Sequence, residues 1–132
     1  MATVQEALVQ ILTADGAVHD LVGDRVYPAA VPQGGVLPAV AYKRISNMRV
    51  YSHGGDSHLA RPRFQLDCVA ESYSEAVRVA EAVTTALSGY RGDEVVRVEA
   101  TFIENEMDYF QLLDDDSRRY IASVDVFIWH QY

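Results

Sequence analysis

A chain of 132 residues with 49% hydrophobic and 23% charged residues has the size and composition of one globular domain, which excludes a multidomain enzyme. The net charge of −8, from 19 acidic and 11 basic residues, disfavours nonspecific binding to a nucleic-acid backbone. The single cysteine, Cys68, excludes an internal disulfide and a multi-cysteine zinc site and indicates a reducing compartment. Because no apolar run is long enough for a bilayer and the first residues lack a basic region, we expect no membrane partner and no signal peptide.

The N-terminal part of the chain predicts two short helices and a loop. Apolar residues recur at helical spacing over residues 4–14, and a capping box begins at Thr3. A second helical turn is expected over residues 17–21, closed by Gly23 in the left-handed conformation. The prolines and glycines of residues 27–38 then predict an ordered surface loop.

Two strands are predicted next, over residues 39–46 and 61–69. In the second strand Phe64, Leu66 and Cys68 alternate with polar residues, which is typical of a sheet with one buried face. The intervening residues are too many for a tight hairpin and include glycines and histidines. We therefore expect residues 47–60 to form a flexible tip on a projecting hairpin.

The second half of the chain repeats the same order of elements. A capping box at Ser72 and apolar residues at three- and four-residue intervals predict a helix that reaches Leu87. Strands follow over residues 95–103 and 118–129, and the aspartate run 114–116 predicts a turn between them.

The order helix, strand, strand, helix, strand, strand determines the predicted fold class. Strands that arrive in pairs favour an α+β fold with a four-stranded antiparallel sheet and helices packed on one face. The predicted fold is one domain over residues 1–132 with a long projecting β-hairpin loop.

Few residues suggest catalysis or metal binding. His53, Asp56 and His58 lie close enough in sequence to bind a divalent ion, but a solvated loop explains them more simply and no fourth ligand is signalled. Cys68 falls on the buried face of its strand, where a thiol is usually inert. No phosphate-binding loop or nucleophile elbow occurs in the sequence. We therefore predict no enzyme activity, no cofactor and no metal site, with a small metal-dependent hydrolase as an alternative.

Three carboxylates form a separate pattern. Glu104, Glu106 and Asp108 alternate along the chain, so they are expected to share one face of a strand. Neighbouring carboxylates raise one another's pKa, which general acid catalysis requires. A solvated edge, or an interface that receives arginines, explains the same pattern more simply.

Charge is divided between two segments of the chain. Residues 43–63 contain five basic residues and one acidic residue, whereas residues 91–132 contain four basic and ten acidic residues. The two segments can neutralise each other within one fold or between copies in a head-to-tail ring. The second possibility predicts a subunit interface with basic donors and acidic acceptors. The donors are Arg44, Arg49, Arg61 and Arg63, and the acceptors are Glu104, Glu106, Asp108, Asp114, Asp115 and Asp116.

Several stretches occur together in a recognisable order. They are ADGAV (14–18), LVGDRVYP (21–28), VPQG (31–34), LPAV (37–40), RFQLDC (63–68) and YSEA (73–76). In order and spacing they resemble the tail completion, or tail terminator, proteins of long-tailed bacteriophages and phage-derived particles. The likeness covers most of the chain.

The resemblance implies a structural virion protein. Such proteins assemble as a homo-oligomer, a hexameric ring, that caps the head-proximal end of the tail tube and joins tail to head. The implied partners are the tail tube protein and a head–tail connector or stopper protein, and DNA passes through the ring without specific binding. The implied location is the neck of the virion tail, after assembly in the host bacterial cytoplasm. Another neck component, such as a stopper, is the alternative.

Overall fold

Helices begin at the capping residues that the sequence offers. The computed structural model describes residues 2–132 and contains the helices α1 (Val4–Ala14), α2 (Gly16–Val22) and α3 (Tyr73–Leu87). Thr3, Asp15 and Ser72 precede them, and the side chain of each accepts a hydrogen bond of 3.1 to 3.3 Å from a backbone N–H in the first turn. A cap of this kind contributes about 1 kcal/mol. The predicted positions of α1 and α3 are confirmed.

The second helix is longer than predicted. It spans two turns, and Gly23 ends it with a φ of 59° and a ψ of −128°. The positive φ explains the glycine, although the ψ lies outside the left-handed helical region that the sequence predicts.

Five strands form one sheet, in the order β1-β2-β3-β5-β4. Their bounds are Val26–Pro28 for β1, Ala39–Ser52 for β2, Gly55–Ala70 for β3, Val98–Leu112 for β4 and Arg118–Gln131 for β5. The predicted α+β class is confirmed, but the predicted four-stranded antiparallel sheet is wrong in detail. The short β1 lies at the start of the predicted loop and pairs with β2 in parallel, so the sheet is mixed.

The predicted flexible loop over residues 47–60 is mostly strand. Strands β2 and β3 continue to Ser52 and from Gly55, which leaves only His53 and Gly54 as a turn. The hairpin does project, because the last pairing of β5 with β3 joins Gln131 to Leu59. Its tip is a paired ribbon rather than an irregular loop.

The second hairpin also differs from its predicted bounds. Strand β4 begins three residues later than predicted and continues to Leu112, and β5 extends to Gln131. The aspartate run does form the turn between them, and Asp116 has a positive φ of 66°.

One face of the sheet carries the core. Phe64, Leu66 and Cys68 are fully buried on this face, which we call the helix face, against apolar side chains of the three helices. Burying each large apolar side chain contributes about 1.5 to 3 kcal/mol. The alternate residues of β3 point to the opposite face, which we call the open face. No helix within residues 2–132 is both long enough and apolar enough to cross a membrane.

Candidate subunit interface

The predicted basic donors lie on two faces of the sheet. Arg44 and Arg49 are exposed on the helix face of β2, opposite Phe64 and Ala60 of β3. Arg61 and Arg63 lie on the open face of β3. The four arginines therefore do not form one patch.

Arg49 belongs to a cluster at the end of the β2–β3 hairpin. Its guanidinium lies 4.4 Å from the centre of the Tyr132 ring. The Tyr132 hydroxyl donates a hydrogen bond to Asp56, which lowers the pKa of Asp56 and raises that of Tyr132. The backbone N–H of Tyr132 donates to the carbonyl of His58 at 2.9 Å. These contacts fasten the last residues of the chain to the hairpin.

The same end of the sheet contains a buried histidine. His130 is 6% exposed, and burial lowers the pKa of its imidazole. A contact between its Nδ1 and the carbonyl of Gln131, at 3.1 Å, opposes this shift, while the positive charges of Arg44 and Arg49 add to it. We expect His130 to be neutral at pH 7.

The histidine loop does not assemble a metal site. His53 lies in the turn, Asp56 is bonded to Tyr132, and the ring of His58 packs against the Tyr132 ring with 5.5 Å between centroids. Across the part of the chain that the structure describes, no three His, Cys, Asp or Glu residues are grouped to hold a metal ion. The geometry gives the hydrolase alternative no support.

Cys68 lies where the alternation of β3 predicts. Its side chain is fully buried in the core, and burial raises the pKa of the thiol far above its usual range. A thiol in this state is a small apolar side chain rather than a nucleophile.

Arg61 contributes to an aromatic patch that sequence reasoning missed. Its guanidinium carbon lies 4.4 Å from the centre of the Phe127 ring and 5.6 Å from that of Trp129. Phe102, 56% exposed, continues the patch onto β4, opposite Phe127. The alternation of β5, with Val126 and Ile128 inward, already places Phe127 and Trp129 on the other face. The signal in the sequence is therefore the pair of aromatic side chains on the outward positions of β5.

Arg63 has a partner within its own chain. Its Nη2 lies 2.5 Å from a carboxylate oxygen of Asp125, and this bond raises the pKa of Arg63. Glu104 adds a weaker electrostatic attraction to the same arginine. Arg63, one of the four predicted donors, is therefore paired with a carboxylate of its own chain.

The predicted acidic strand residues separate at a bulge. Ile103 is paired with Val126 and Asn105 with Asp125, so Glu104 is an extra residue in the alternation. The prediction that all three carboxylates share one face is therefore wrong.

The other two acidic strand residues lie on the helix face beside α3. The Tyr73 hydroxyl donates to Asp108 at 2.7 Å, which raises the pKa of Tyr73. The Thr84 hydroxyl donates to Glu106 at 3.5 Å. Both carboxylates thus have neutral hydrogen-bond donors nearby.

The aspartates of residues 114–116 form the turn at the far end of the sheet from the His53–Gly54 turn. Asp115 accepts hydrogen bonds from the hydroxyl and the backbone N–H of Ser117, at 2.5 and 3.1 Å, which lower its pKa. Strand β3 ends beside this turn and begins at the other one. The acidic turn cannot reach the basic hairpin of its own chain.

None of the predicted donors forms an ion pair with a predicted acceptor within residues 2–132. The ion pairs of this part of the chain join Arg63 to Asp125 and Arg97 to Glu99, and His19 lies 3.8 Å from Asp24. Apart from Arg63, the predicted donors and acceptors are therefore not neutralised by ion pairs inside the fold.

Comparisons with known proteins give a family match and a structural match. The family model described as Tail completion protein gp17 matches residues 6–131. Among solved structures, a chain of "Virion of native gene transfer agent (GTA) particle" has a TM-score of 0.69 and 22% sequence identity, covering 93% of this chain and 91% of that chain. At this identity the likeness shows a shared fold. No curated protein matches the chain.

Proposed function

Because the chain belongs to the Tail completion protein gp17 family, and is thus a structural tail protein, we propose that it is one subunit of a closed ring at the head-proximal end of a tail. The ring caps the tail tube and joins the tail to the head. Its role is to bind other proteins, and it requires no catalytic turnover.

The observation that carries the ring is the separation of opposite charges across the sheet. Arg44 and Arg49 lie on β2, whereas Glu106 and Asp108 lie on β4. Strands β3 and β5 stand between them, so the two groups are about 14 Å apart across three strand spacings. A single chain cannot join these charges, but a head-to-tail arrangement of copies can.

The proposed position at the head-proximal end of the tail implies the partners. We propose a hexameric ring that contacts the tail tube protein on one side and a head–tail connector or stopper protein on the other. The surplus of 19 acidic over 11 basic residues favours passage of DNA through the ring without specific binding. We propose that the assembled protein lies in the neck of a phage-like particle.

The proposal is tested by disrupting the gene in the genome that produces the particles and examining the lysate by negative-stain electron microscopy. We expect filled heads beside unattached tails or tails of abnormal length. The intact gene supplied in trans is the control and should restore joined particles. Joined particles of normal tail length in the disrupted strain would overturn the proposed function.

A further inference from the structure

Both outer edges of the sheet are partly free. Strand β1 covers β2 only at Val40–Tyr42, where the N–H of Val40 donates to the carbonyl of Arg25 at 2.9 Å. The rest of β2, residues 43–52, has no strand on its outer side, and we call it the basic edge. A free strand edge is a template for pairing with another chain.

The outer edge of β4 is covered only near its start. The N–H of Gly89 donates to the carbonyl of Thr101 at 3.0 Å, and Gly92 forms a bridge with Val98. The remainder of the strand, residues 102–112, has no strand on its outer side, and we call it the acidic edge. The two free edges have nearly equal lengths, and neither contains a proline.

The charges on these edges are opposite and unmixed. The basic edge carries Lys43, Arg44 and Arg49 and no acidic residue. The acidic edge contains no basic residue; its carboxylates are Glu104, Glu106 and Asp108. Resting on the ring proposed above, we propose that the basic edge of one copy pairs with the acidic edge of the next, so that the sheet continues from subunit to subunit.

The strand directions agree with such pairing. Three successive antiparallel pairings lie between β2 and β4, so these two strands run in opposite directions. A neighbouring copy that continues the sheet with its helices on the same side keeps this direction. Its β4 therefore forms an antiparallel ladder with β2.

The side chains then meet on the correct faces. Arg44 and Arg49 of the basic edge and Glu106 and Asp108 of the acidic edge all lie on the helix face. Because a continued sheet keeps its faces, cross-strand neighbours of opposite charge are brought together. Pairing of two like edges in a two-fold dimer would instead oppose like charges, so the interface is head-to-tail.

The backbone of the basic edge has donors available for this ladder. Val40 and Tyr42 direct their N–H and carbonyl groups outward to the β1 side. The register shift between Arg44 and Ser46 changes which residues face outward. Beyond the shift, the backbone N–H and carbonyl groups of Asn47 and Arg49 point away from β3.

The test is a disulfide cross-link between edges in assembled particles. Buried Cys68 is the chain's single native cysteine, so introduced cysteines can be oxidised selectively. Asn47→Cys is combined with a cysteine placed at each position from 105 to 109 in turn, and the gene-disrupted strain is complemented with each chain. At one register we expect a ladder of covalent oligomers on a non-reducing gel. Chains with either cysteine alone should remain monomeric.

Charge reversal provides a second measurement. Arg49→Glu and Asp108→Arg should each lower the yield of joined particles about tenfold or more, because each places like charges across the ladder. The two changes together should recover most of the yield. The control is Arg78→Glu, which makes the same change of charge on an exposed position of α3 and should leave the yield unchanged.

The outcomes separate this inference from the proposed function. One outcome is that the intact gene restores joined particles while none of the cysteine pairs forms a cross-link and the double charge reversal recovers no yield. In that case edge pairing is wrong, but the proposed ring role stands. Dimers from a single-cysteine chain would indicate like-edge pairing and would also overturn the inference. If disruption of the gene leaves particles normal, the proposed function itself fails.

Discussion

The pair formed by Arg63 and Asp125 tests whether this arginine serves its own chain or a neighbour. The Arg63 side chain is 37% exposed and that of Asp125 is 13% exposed, with 2.5 Å between the bonded atoms. A fully exposed pair contributes about 0.2 to 1 kcal/mol, and the partial burial here places the expected coupling near the upper end, about 1 kcal/mol. Leaving the largely buried carboxylate without its partner adds a desolvation penalty, so Arg63→Met should lower the free energy of unfolding by about 1 to 2 kcal/mol.

A double-mutant cycle measures this coupling. Urea denaturation, followed by circular dichroism, is carried out on the wild type, Arg63→Met, Asp125→Asn and the double variant. The double variant should lose less free energy of unfolding than the sum of the single losses, by about 1 kcal/mol. Because the contact is short and partly buried, the coupling should persist largely unchanged in 0.5 M salt.

Additivity within about 0.3 kcal/mol would refute the intrachain pairing. Arg63 would then be free to bind a neighbour, as the sequence alone predicts. With the pairing present, Arg63→Met should affect particle yield only through stability, unlike Arg49→Glu.

Three further predictions concern the core and the hairpin end. Phe64→Ala removes a fully buried ring and should cost about 3 to 5 kcal/mol in the free energy of unfolding by denaturant titration. Because the pKa of His130 is lower in the folded chain than in the unfolded chain, the unfolded chain binds a proton at the higher pH. The free energy of unfolding should therefore be highest above about pH 6.5 and should decrease as the pH falls through the folded pKa. Denaturation at pH 7.5 and 5.5 should show this loss, and His130→Gln should reduce it. Tyr132→Phe removes the bond to Asp56 and should speed amide exchange at residues 55–58 about fivefold, which mass spectrometry can detect.

Local sequence signals were sufficient to predict α1 and α3. Thr3 and Ser72 cap their helices through their own side chains, and the apolar spacing that follows reflects a single buried stripe. Both signals lie within a few residues of the helix they define. They therefore do not depend on how the rest of the chain folds.

The outer parts of the sheet depend on partners that are distant in sequence. Most side chains of the hairpin tip are exposed on both faces, so residues 47–60 have no apolar alternation from which a strand can be recognised. Strand β1 is only three residues long and pairs with β2 in parallel. No turn signal between the two strands predicts this parallel pairing. These elements follow from sheet pairing rather than from local preference.

The candidate interface was predictable in its composition but not in its geometry. The uneven distribution of charge is visible in the sequence, and the structure keeps most of those charges without ion-pair partners within residues 2–132. The face on which each residue lies depends on bulges near Ile45 and Glu104. A bulge changes the phase of every residue beyond it, so alternation counted along the chain could not place Glu104 or Arg49.

A net charge of −8 is compatible with assembly from many copies. Repulsion between whole subunits and attraction between paired edges act at different distances. Repulsion between whole subunits acts over separations of tens of ångströms, and at physiological ionic strength the screening length is about 8 Å. Cross-strand side chains in a ladder approach to about 5 Å, inside that length, so their attraction is screened far less. The opposite charges of the two free edges meet at this short distance, where their attraction is strong. The remaining acidic residues lie on the surface, where salt screens their repulsion. Association can then be specific to unlike edges in a chain whose overall charge opposes nonspecific aggregation.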